Sequence, residues 1–416
     1  MTLSEELTWR GFVNQTTYKD ITALDGDPIT FYFGVDPSAD SMQVGNFAMA
    51  MMVRHFIDHG HKVILLVGGA TGMIGDPDGK KQERDLKSLE EIQHNKYAIA
   101  AQYRQIFAGK DFEIVDNYEW FKGLGYLEFL REIGKHVPMR QMLGREFIQT
   151  RLKDDGEGIS YAEFSYALIQ GYDFLYLFRE KGVTLQVAGA DQWGNSIAGV
   201  ELIRRIAGGE AHVWTGPLVV NKTTGVKFGK SEAGAVWLDP VKTTPTQFYQ
   251  FWINCDDAGV EDYLKIYTLL SKEEIDAVMA EHQTAPQHRR AQIVLAEAVT
   301  ELVHGREAME VAQRVTNLLT GKLQVGEASD RDLAEMRKEI PAIAGPTDGS
   351  IVDALVASGL AGSNTEARRF LSENAISVNG QKVQRDTFTP DDFQNGRLLL
   401  RRGKAFKDSA LVELEG

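Results

Sequence analysis

Tyr32-Phe33-Gly34-Val35-Asp36-Pro37-Ser38-Ala39-Asp40-Ser41-Met42-Gln43-Val44-Gly45-Asn46 is the stretch on which the fold turns. The β-branched and aromatic run Pro28 to Phe33 leads into it and reads as a strand. Polar groups and Gly34 end that run, and helical periodicity then holds from about Gly45 to His59, with Gly60 placed as a C-cap. A helix start exposes free N–H groups and the positive end of the helix dipole, so this turn is a seat for phosphate. Gly45 would let a ligand ring approach the backbone. The same residues also fit a plain strand-to-helix turn capped by Asp40 or Ser41.

The unit recurs along the chain. Lys62–Val67, Phe112–Val115 and Val183–Val187 read as further strands, nearly continuous in apolar residues and so covered on both faces. A helix is expected from about Gln82 to Phe107, ending near Gly109. Strand–helix alternation of this kind predicts an α/β class with a doubly wound parallel (Rossmann-like) sheet. After Lys230 the character changes. Thr244 to about Leu319 reads almost wholly as helix, and Gly321 to Ser350, with Pro341, Gly345, Pro346 and Gly349, reads as a linker. From Ile351 onward two short helices precede short strands at Ile376–Val378 and Arg397–Leu400.

The 416 residues suffice for two to three domains. With 43% hydrophobic and 25% charged residues, the composition excludes a disordered, collagen-like or coiled-coil chain. No apolar run approaches the ~20 residues that cross a bilayer, and the first residues carry no basic-then-apolar signal. The single cysteine, Cys255, forms neither an internal disulfide nor a cysteine-based zinc site, so the expected location is the cytoplasm. A net charge of −14 would repel phosphate backbones, so nucleic-acid binding has to come from local basic patches.

Four segments carry candidate chemistry. The first is the strand–turn–helix already quoted. The second, Gly68-Gly69-Ala70-Thr71-Gly72-Met73-Ile74-Gly75-Asp76-Pro77, follows a strand but has neither dinucleotide nor Walker spacing. Its glycines permit a tight loop, Asp76 could pair with a substrate amine, and Lys80, Lys81 and Arg84 either meet phosphates or form a solvated charge run. In the third, Tyr166, Gln170 and Asp173 share one helix face, as a polar pocket wall or a solvent-facing stripe. Beyond the next strand stand Asp191 and Gln192, where ligands of open α/β sheets sit. The fourth is Lys227-Phe228-Gly229-Lys230-Ser231, two lysines around a glycine that either grip polyphosphate or form an exposed basic turn.

In this order the segments resemble the bacterial tyrosyl-tRNA synthetases, class I aminoacyl-tRNA synthetases, over essentially the whole chain. The likeness rests on Asp36–Ser41, Val67–Pro77, Gln186–Asn195, the 227–231 pentapeptide at the place of the family's KMSKS-type loop, and Phe248–Asn254. The tail, with Ser363–Arg369 and Ile376–Gly380, is similar to a small RNA-binding domain shared with a ribosomal small-subunit protein.

The resemblance implies a catalytic domain over 1–231 with an inserted helical dimerisation segment at about 118–165. It implies a helical anticodon-side domain over 232–325, a linker over 326–349 and an α+β RNA-binding domain over 350–416. Tyrosine carboxylate would attack the α-phosphorus of ATP, giving tyrosyl-adenylate and pyrophosphate, and the tyrosyl group would pass to the 3′ end of tRNA(Tyr). The carboxylate is already ionised at neutral pH, so the chemistry asks for positioning and charge stabilisation rather than a base. Tyr32 and Asp173 would bond the phenol, and Asp76, Tyr166 and Gln170 the ammonium group. Asp36, Gly45 and Asp191 would line the nucleotide site, with Gln192 near the reacting carboxyl. Ser38, Gln43, Asn46, Lys227 and Lys230 would meet phosphates and ribose. Rejection of phenylalanine, known for this family as about 10⁵-fold, follows from stranding the buried phenol partners.

The family's HIGH motif is here Gln43-Val44-Gly45-Asn46, and an amide can still donate from roughly an imidazole's position. Phe33 stands where many relatives carry a small or polar residue near the ribose. The alternative reading is a catalytically weak paralogue that binds RNA. The expected partners are L-tyrosine, ATP with Mg²⁺, tRNA(Tyr) and a second copy of the chain, with no DNA, no membrane and no tightly bound metal. The tail from Ile351 carries nine basic and nine acidic residues, so its RNA face has to be local. Arg368, Arg369, Arg401 and Arg402 are candidates there, with Arg145, Arg204 and Arg205 for the acceptor stem. Cutting the chain after about Pro346 is expected to spare adenylate formation and weaken transfer to tRNA.

Overall fold

The computed structural model describes residues 1–77, 87–144, 146–153, 158–231, 234–403 and 405–414, with the backbone alone at 141, 146, 147, 230, 231 and 406. Two compact units result: Met1–Asp239 with Cys255–Ala291, and Pro240–Asn254 with Gln292–Gly416. The boundaries thus differ from the expected division at 231. The helix Pro245–Ile253 belongs with the second unit, whereas the helices Val260–Tyr267 and Lys272–Thr284 belong with the first.

The first unit holds a sheet of β1 (Gln15–Thr16), β2 (Thr30–Val35), β3 (Lys62–Val67), β4 (Glu113–Asp116), β5 (Leu185–Gly189) and β6 (His212–Gly216). Their order is β1-β6-β5-β2-β3-β4, parallel throughout except for β1 against β6. The chain runs outward from β2 through β3 to β4, then returns to the other side of β2 for β5 and β6. That reversal between β2 and β5 opens a crevice outside the carboxyl ends of these strands. Tyr32 and Gln186 are register partners across it.

The helix Val44–Asp58 follows β2 and is buried along most of its length, as expected for an element covering a parallel sheet. The next helix is Leu89–Ile106, shorter than the expected Gln82–Phe107. Ser88 caps it, its side chain accepting from the Glu91 N–H at 3.1 Å, and residues 82–86 lie outside the described residues. Helix Tyr161–Lys181 packs Phe174, Leu175 and Leu177 with Tyr32, Ile64 and Leu66 of the sheet. Arg10 caps the carbonyls of Lys265, Thr268 and Leu270 at 2.7–3.1 Å, tying helix Leu3–Arg10 to the end of helix Val260–Tyr267. β7 (Lys230–Ser231) pairs with β8 (Gly234–Ala235).

The second unit corrects the linker reading. Within 326–349 lie a helix, Asp330–Glu339, and a strand, β9 (Ala342–Gly345). β9 runs parallel to β13 (Ser409–Leu414) at the edge of a sheet completed by β10 (Ile376–Val378), β11 (Gln381–Lys382) and β12 (Arg397–Arg402). Leu399 and Leu411 of that sheet are buried with Val315, Leu318, Leu319, Met336 and Ile340. Proline, glycine and acidic residues at 321–350 imitate a loop, while every third or fourth residue (Leu333, Met336, Ile340) is apolar and buried. A cut after Pro346 would strip β9 of its partner and open that core. Among the described residues no helix is long and apolar enough to cross a membrane.

Candidate active site

The crevice at the strand reversal is a cavity of about 420 Å³, lined entirely from the first unit. It gathers residues from all four candidate segments. Tyr32 and Asp36 come from β2 and its end, and Ser38, Gln43, Gly45 and Asn46 from the turn and helix start. Asp76 comes from the glycine-rich loop, and Tyr166, Gln170 and Asp173 from helix Tyr161–Lys181. Asp191 and Gln192 follow β5, and Lys227 arrives on the later loop. The shared helix face is thus a pocket wall rather than a solvent stripe.

Burial grades the cavity from one end to the other. Tyr32, Tyr166 and Asp173 are almost wholly buried, whereas Ser38, Gly45, Asn46, Asp191 and Lys227 are exposed. At the closed end Asp173 accepts from Trp120 Nε1 at 2.9 Å and Asn117 Nδ2 at 3.1 Å. Burial pushes its carboxyl up to about 8 against the pull of those two donors, and the charges of Asp36 and Asp116 add to the rise. The Tyr32 phenol is likewise raised by burial and by Asp173. Its hydroxyl, like Gln170 Oε1 and Gln186 Oε1, meets no hydrogen-bond partner among the described residues. Three buried polar atoms and one carboxyl therefore face the closed end with capacity to spare.

Midway, Asp36 organises two elements. Its Oδ2 accepts from the Tyr166 hydroxyl at 2.7 Å and its Oδ1 from Thr71 Oγ1 at 2.6 Å. Asn117 Nδ2 reaches Thr71 Oγ1 at 3.1 Å, and Asn117 Oδ1 accepts from the Ala70 N–H at 2.7 Å. The glycines after β3 serve this contact. A side chain at Gly68 would stand 2.0 Å from Thr71 Oγ1 and 2.4 Å from Asp36 Oδ1. Gln192 Nε2 donates to Asp76 Oδ2 at 2.5 Å, and Asn195 Nδ2 to Gln192 Oε1 at 3.2 Å.

At the open end the first turn of helix Val44–Asp58 presents Gly45 with nothing within 4 Å of where a Cβ would stand. Asn46 Oδ1 accepts from the Gln43 N–H at 3.1 Å, which leaves the Asn46 amide nitrogen as its donor. The Lys230 side chain, like Lys80, Lys81, Arg84 and Arg145, lies outside the described residues. Among the described residues no group of three or more His, Cys, Asp or Glu side chains is arranged to hold a metal ion.

The residues that sequence reasoning missed are Thr71, Asn117, Trp120 and Gln186. Asn117 immediately follows β4, so the carboxyl-end rule that placed Asp191 and Gln192 points to it equally. The basic candidates divide. Arg204 and Arg205 both pair with Glu201, at 2.7 and 3.3 Å, on the surface. Arg369 lies beside Glu366 and Glu373, whereas Arg368 is exposed and makes no ion pair among the described residues. Arg401, half-buried, bonds the Leu319 carbonyl and Ser409 Oγ within the second unit. Arg402 bonds the Leu360 carbonyl at 2.9 Å and Asp408 at 3.0 Å. These guanidiniums satisfy carbonyls and carboxylates of the fold.

The family model for tRNA synthetases class I (W and Y) matches residues 24–320, and that for the tyrosine–tRNA ligase SYY-like C-terminal domain matches 332–407. The chain is 43% identical to a tyrosine–tRNA ligase of Amoebophilus asiaticus over 420 residues, 96% of each chain. It is 47% identical to one from Bacteroides fragilis over 298 residues, 70% of this chain and 69% of that one. A C-terminally truncated mitochondrial tyrosyl-tRNA synthetase of Aspergillus nidulans superposes with a TM-score of 0.69 at 29% identity, covering 76% of this chain and 94% of that one. With one family model over its catalytic part, another over its tail and full-length relatives above 40% identity, the chain belongs to the tyrosine–tRNA ligases of the class I synthetase family.

Proposed function

We propose that the cavity activates L-tyrosine with ATP and hands the tyrosyl group to tRNA(Tyr), with the closed end reading the phenol and the open end the nucleotide. The observation that carries this is the polarity gradient: a buried Tyr32 hydroxyl and Asp173 carboxyl at one end, exposed amides, helix-start N–H groups and Lys227 at the other. The phenol donates to Asp173 and accepts from the Tyr32 hydroxyl. The ammonium group donates to Asp76, Gln170 Oε1 and Tyr166, whose hydroxyl keeps a lone pair while its proton serves Asp36.

A substrate held at both ends presents its carboxylate to the α-phosphorus. A carboxylate oxygen forms the new P–O bond, the bond to the β-phosphate oxygen breaks, and pyrophosphate leaves with its electron pair. Gln43, Ser38, Lys227 and Lys230 donate to the phosphates as negative charge moves onto them, and Asn46, Asp191 and Gly45 accommodate the ribose and base. Mg²⁺ enters on the phosphates of ATP. A homodimer built on the 118–165 segment, tRNA contacts through Arg368 and Arg369, and a cytoplasmic location complete the proposal.

Tyrosine-dependent ATP–pyrophosphate exchange, run in parallel with all twenty amino acids, tests it. Exchange with tyrosine supports the reading. Exchange with tryptophan alone reassigns the pocket, and no exchange with folded protein and magnesium leaves the RNA-binding paralogue.

A further inference from the structure

The loop that brings Lys227 to the cavity is fastened to one helix. Phe228, the next residue, is buried and stacks on Tyr263 at 4.1 Å between ring centroids and 23° between planes. Tyr267, one turn further along helix Val260–Tyr267, lies 5.9 Å from Phe228, and it stacks on Phe47 of helix Val44–Asp58 at 5.8 Å. A second fastening lies upstream. Asp256 accepts from the Tyr263 hydroxyl at 3.1 Å, from Asn221 Nδ2 at 3.1 Å and from Thr223 Oγ1 at 3.0 Å, and Lys222 pairs with Asp262. The docked loop then approaches the helix start closely. Gly229 has φ +103°, and a Cβ there would stand 3.3 Å from the Gly45 nitrogen and 3.2 Å from Val44 Cβ.

We propose that Tyr263 is a positioning residue for adenylate formation: its ring seats Phe228, its hydroxyl recruits Asp256 to the loop's other turn, and together they fix where Lys227 stands against the nucleotide. This rests on the assignment of Lys227 to phosphate made above. The physical reason is leverage. Lys227 is an exposed, flexible ammonium group, and its neighbour in sequence is the buried aromatic anchor, so the anchor sets the backbone from which the lysine reaches. An aromatic stack of this kind is worth about 0.5–1.5 kcal/mol, which is roughly 2- to 12-fold in the population of a docked loop.

Three variants test it in the full-length protein: Tyr263→Leu, Tyr263→Phe and, from the loop side, Phe228→Leu. Tyr263→Leu and Phe228→Leu are expected to raise the ATP KM or lower the exchange rate by about 2- to 12-fold, with the tyrosine dissociation constant measured without ATP unchanged. Tyr263→Phe keeps the stack and restores most of the loss. Combined with Lys227→Ala, Tyr263→Leu adds little, because the lysine it positions is gone. Hydrogen exchange at the Phe228 amide, which bonds the Val219 carbonyl at 2.9 Å, rises in both leucine variants and reads the fastening without any activity. Additive losses with Lys227→Ala, a parallel loss of tyrosine binding, or unchanged exchange at Phe228 would overturn the proposal. Absence of pyrophosphate exchange in the wild type would instead overturn the assignment on which it rests.

Discussion

Replacing Tyr32 by phenylalanine removes one oxygen from the closed end of the cavity and little else. The ring stays buried, 5.2 Å from Phe174, and its hydroxyl has no partner among the described residues. The hydroxyl is shielded from solvent and bonds none of the described residues in the free protein, so removing it strands no partner. Folding stability should therefore change by less than about 1 kcal/mol. Bound tyrosine, by contrast, loses a hydrogen bond worth about 0.5–1.5 kcal/mol, or roughly 2- to 12-fold in kcat/KM. Phenylalanine loses nothing, because it never made that bond, so discrimination falls by the same factor. The assay is ATP–pyrophosphate exchange with each amino acid at saturating ATP, beside a urea titration. An equal fall for both amino acids, or no fall for tyrosine, would refute the placement of the phenol.

Three other perturbations follow from the same structure. The Asp173 carboxyl titrates at about 8 in the folded chain and near its ordinary 3.8 unfolded, so its contribution to stability is full below about pH 4 and is lost as pH rises through about 8. The stability of wild type relative to Asp173→Asn should decline between about pH 4 and about pH 8, and a constant difference in melting temperature would contradict the burial argument. Arg151 and Glu163 form a buried bidentate pair at 2.8 and 2.9 Å, so Arg151→Ala, which strands the carboxylate, should cost about 3–5 kcal/mol by urea titration; a cost below about 1 would mean that the pair is solvated. Arg401→Ala should destabilise the chain by roughly 1–3 kcal/mol, whereas Arg368→Ala should leave stability alone and weaken tRNA charging in a salt-dependent way. The reverse pattern, in melting and aminoacylation assays, would undo that division.

Much of the catalytic unit was legible because chemistry in an open α/β sheet collects at strand ends, and strand ends are visible as apolar runs meeting glycine and polar residues. Asp36, Asp76, Asp191 and Gln192 were placed in this way, and the 3.6-residue repeat placed Tyr166, Gln170 and Asp173 on one wall. Strand β6, with Val213, Trp214 and Thr215 between Gly209 and Gly216, carries a shorter version of the same signal. What sequence did not reveal was partnership at a distance. Asn117 and Trp120 act on Asp173 more than fifty residues away, and no local pattern announces that. Arginine counts in the tail leave a related ambiguity: composition does not tell a guanidinium that caps a buried carbonyl from one that faces water. The 326–349 segment misled because turn-rich composition outweighed a short amphipathic repeat.

The most direct test of the account is a crystal structure with L-tyrosine and a nonhydrolysable ATP analogue bound. The phenol oxygen should lie within hydrogen-bond distance of both Tyr32 and Asp173, with the amino-acid carboxylate facing the α-phosphate near Gln43 and Lys227. A ring lodged at the open end, or a crevice filled by Phe33 and Met49, would contradict it.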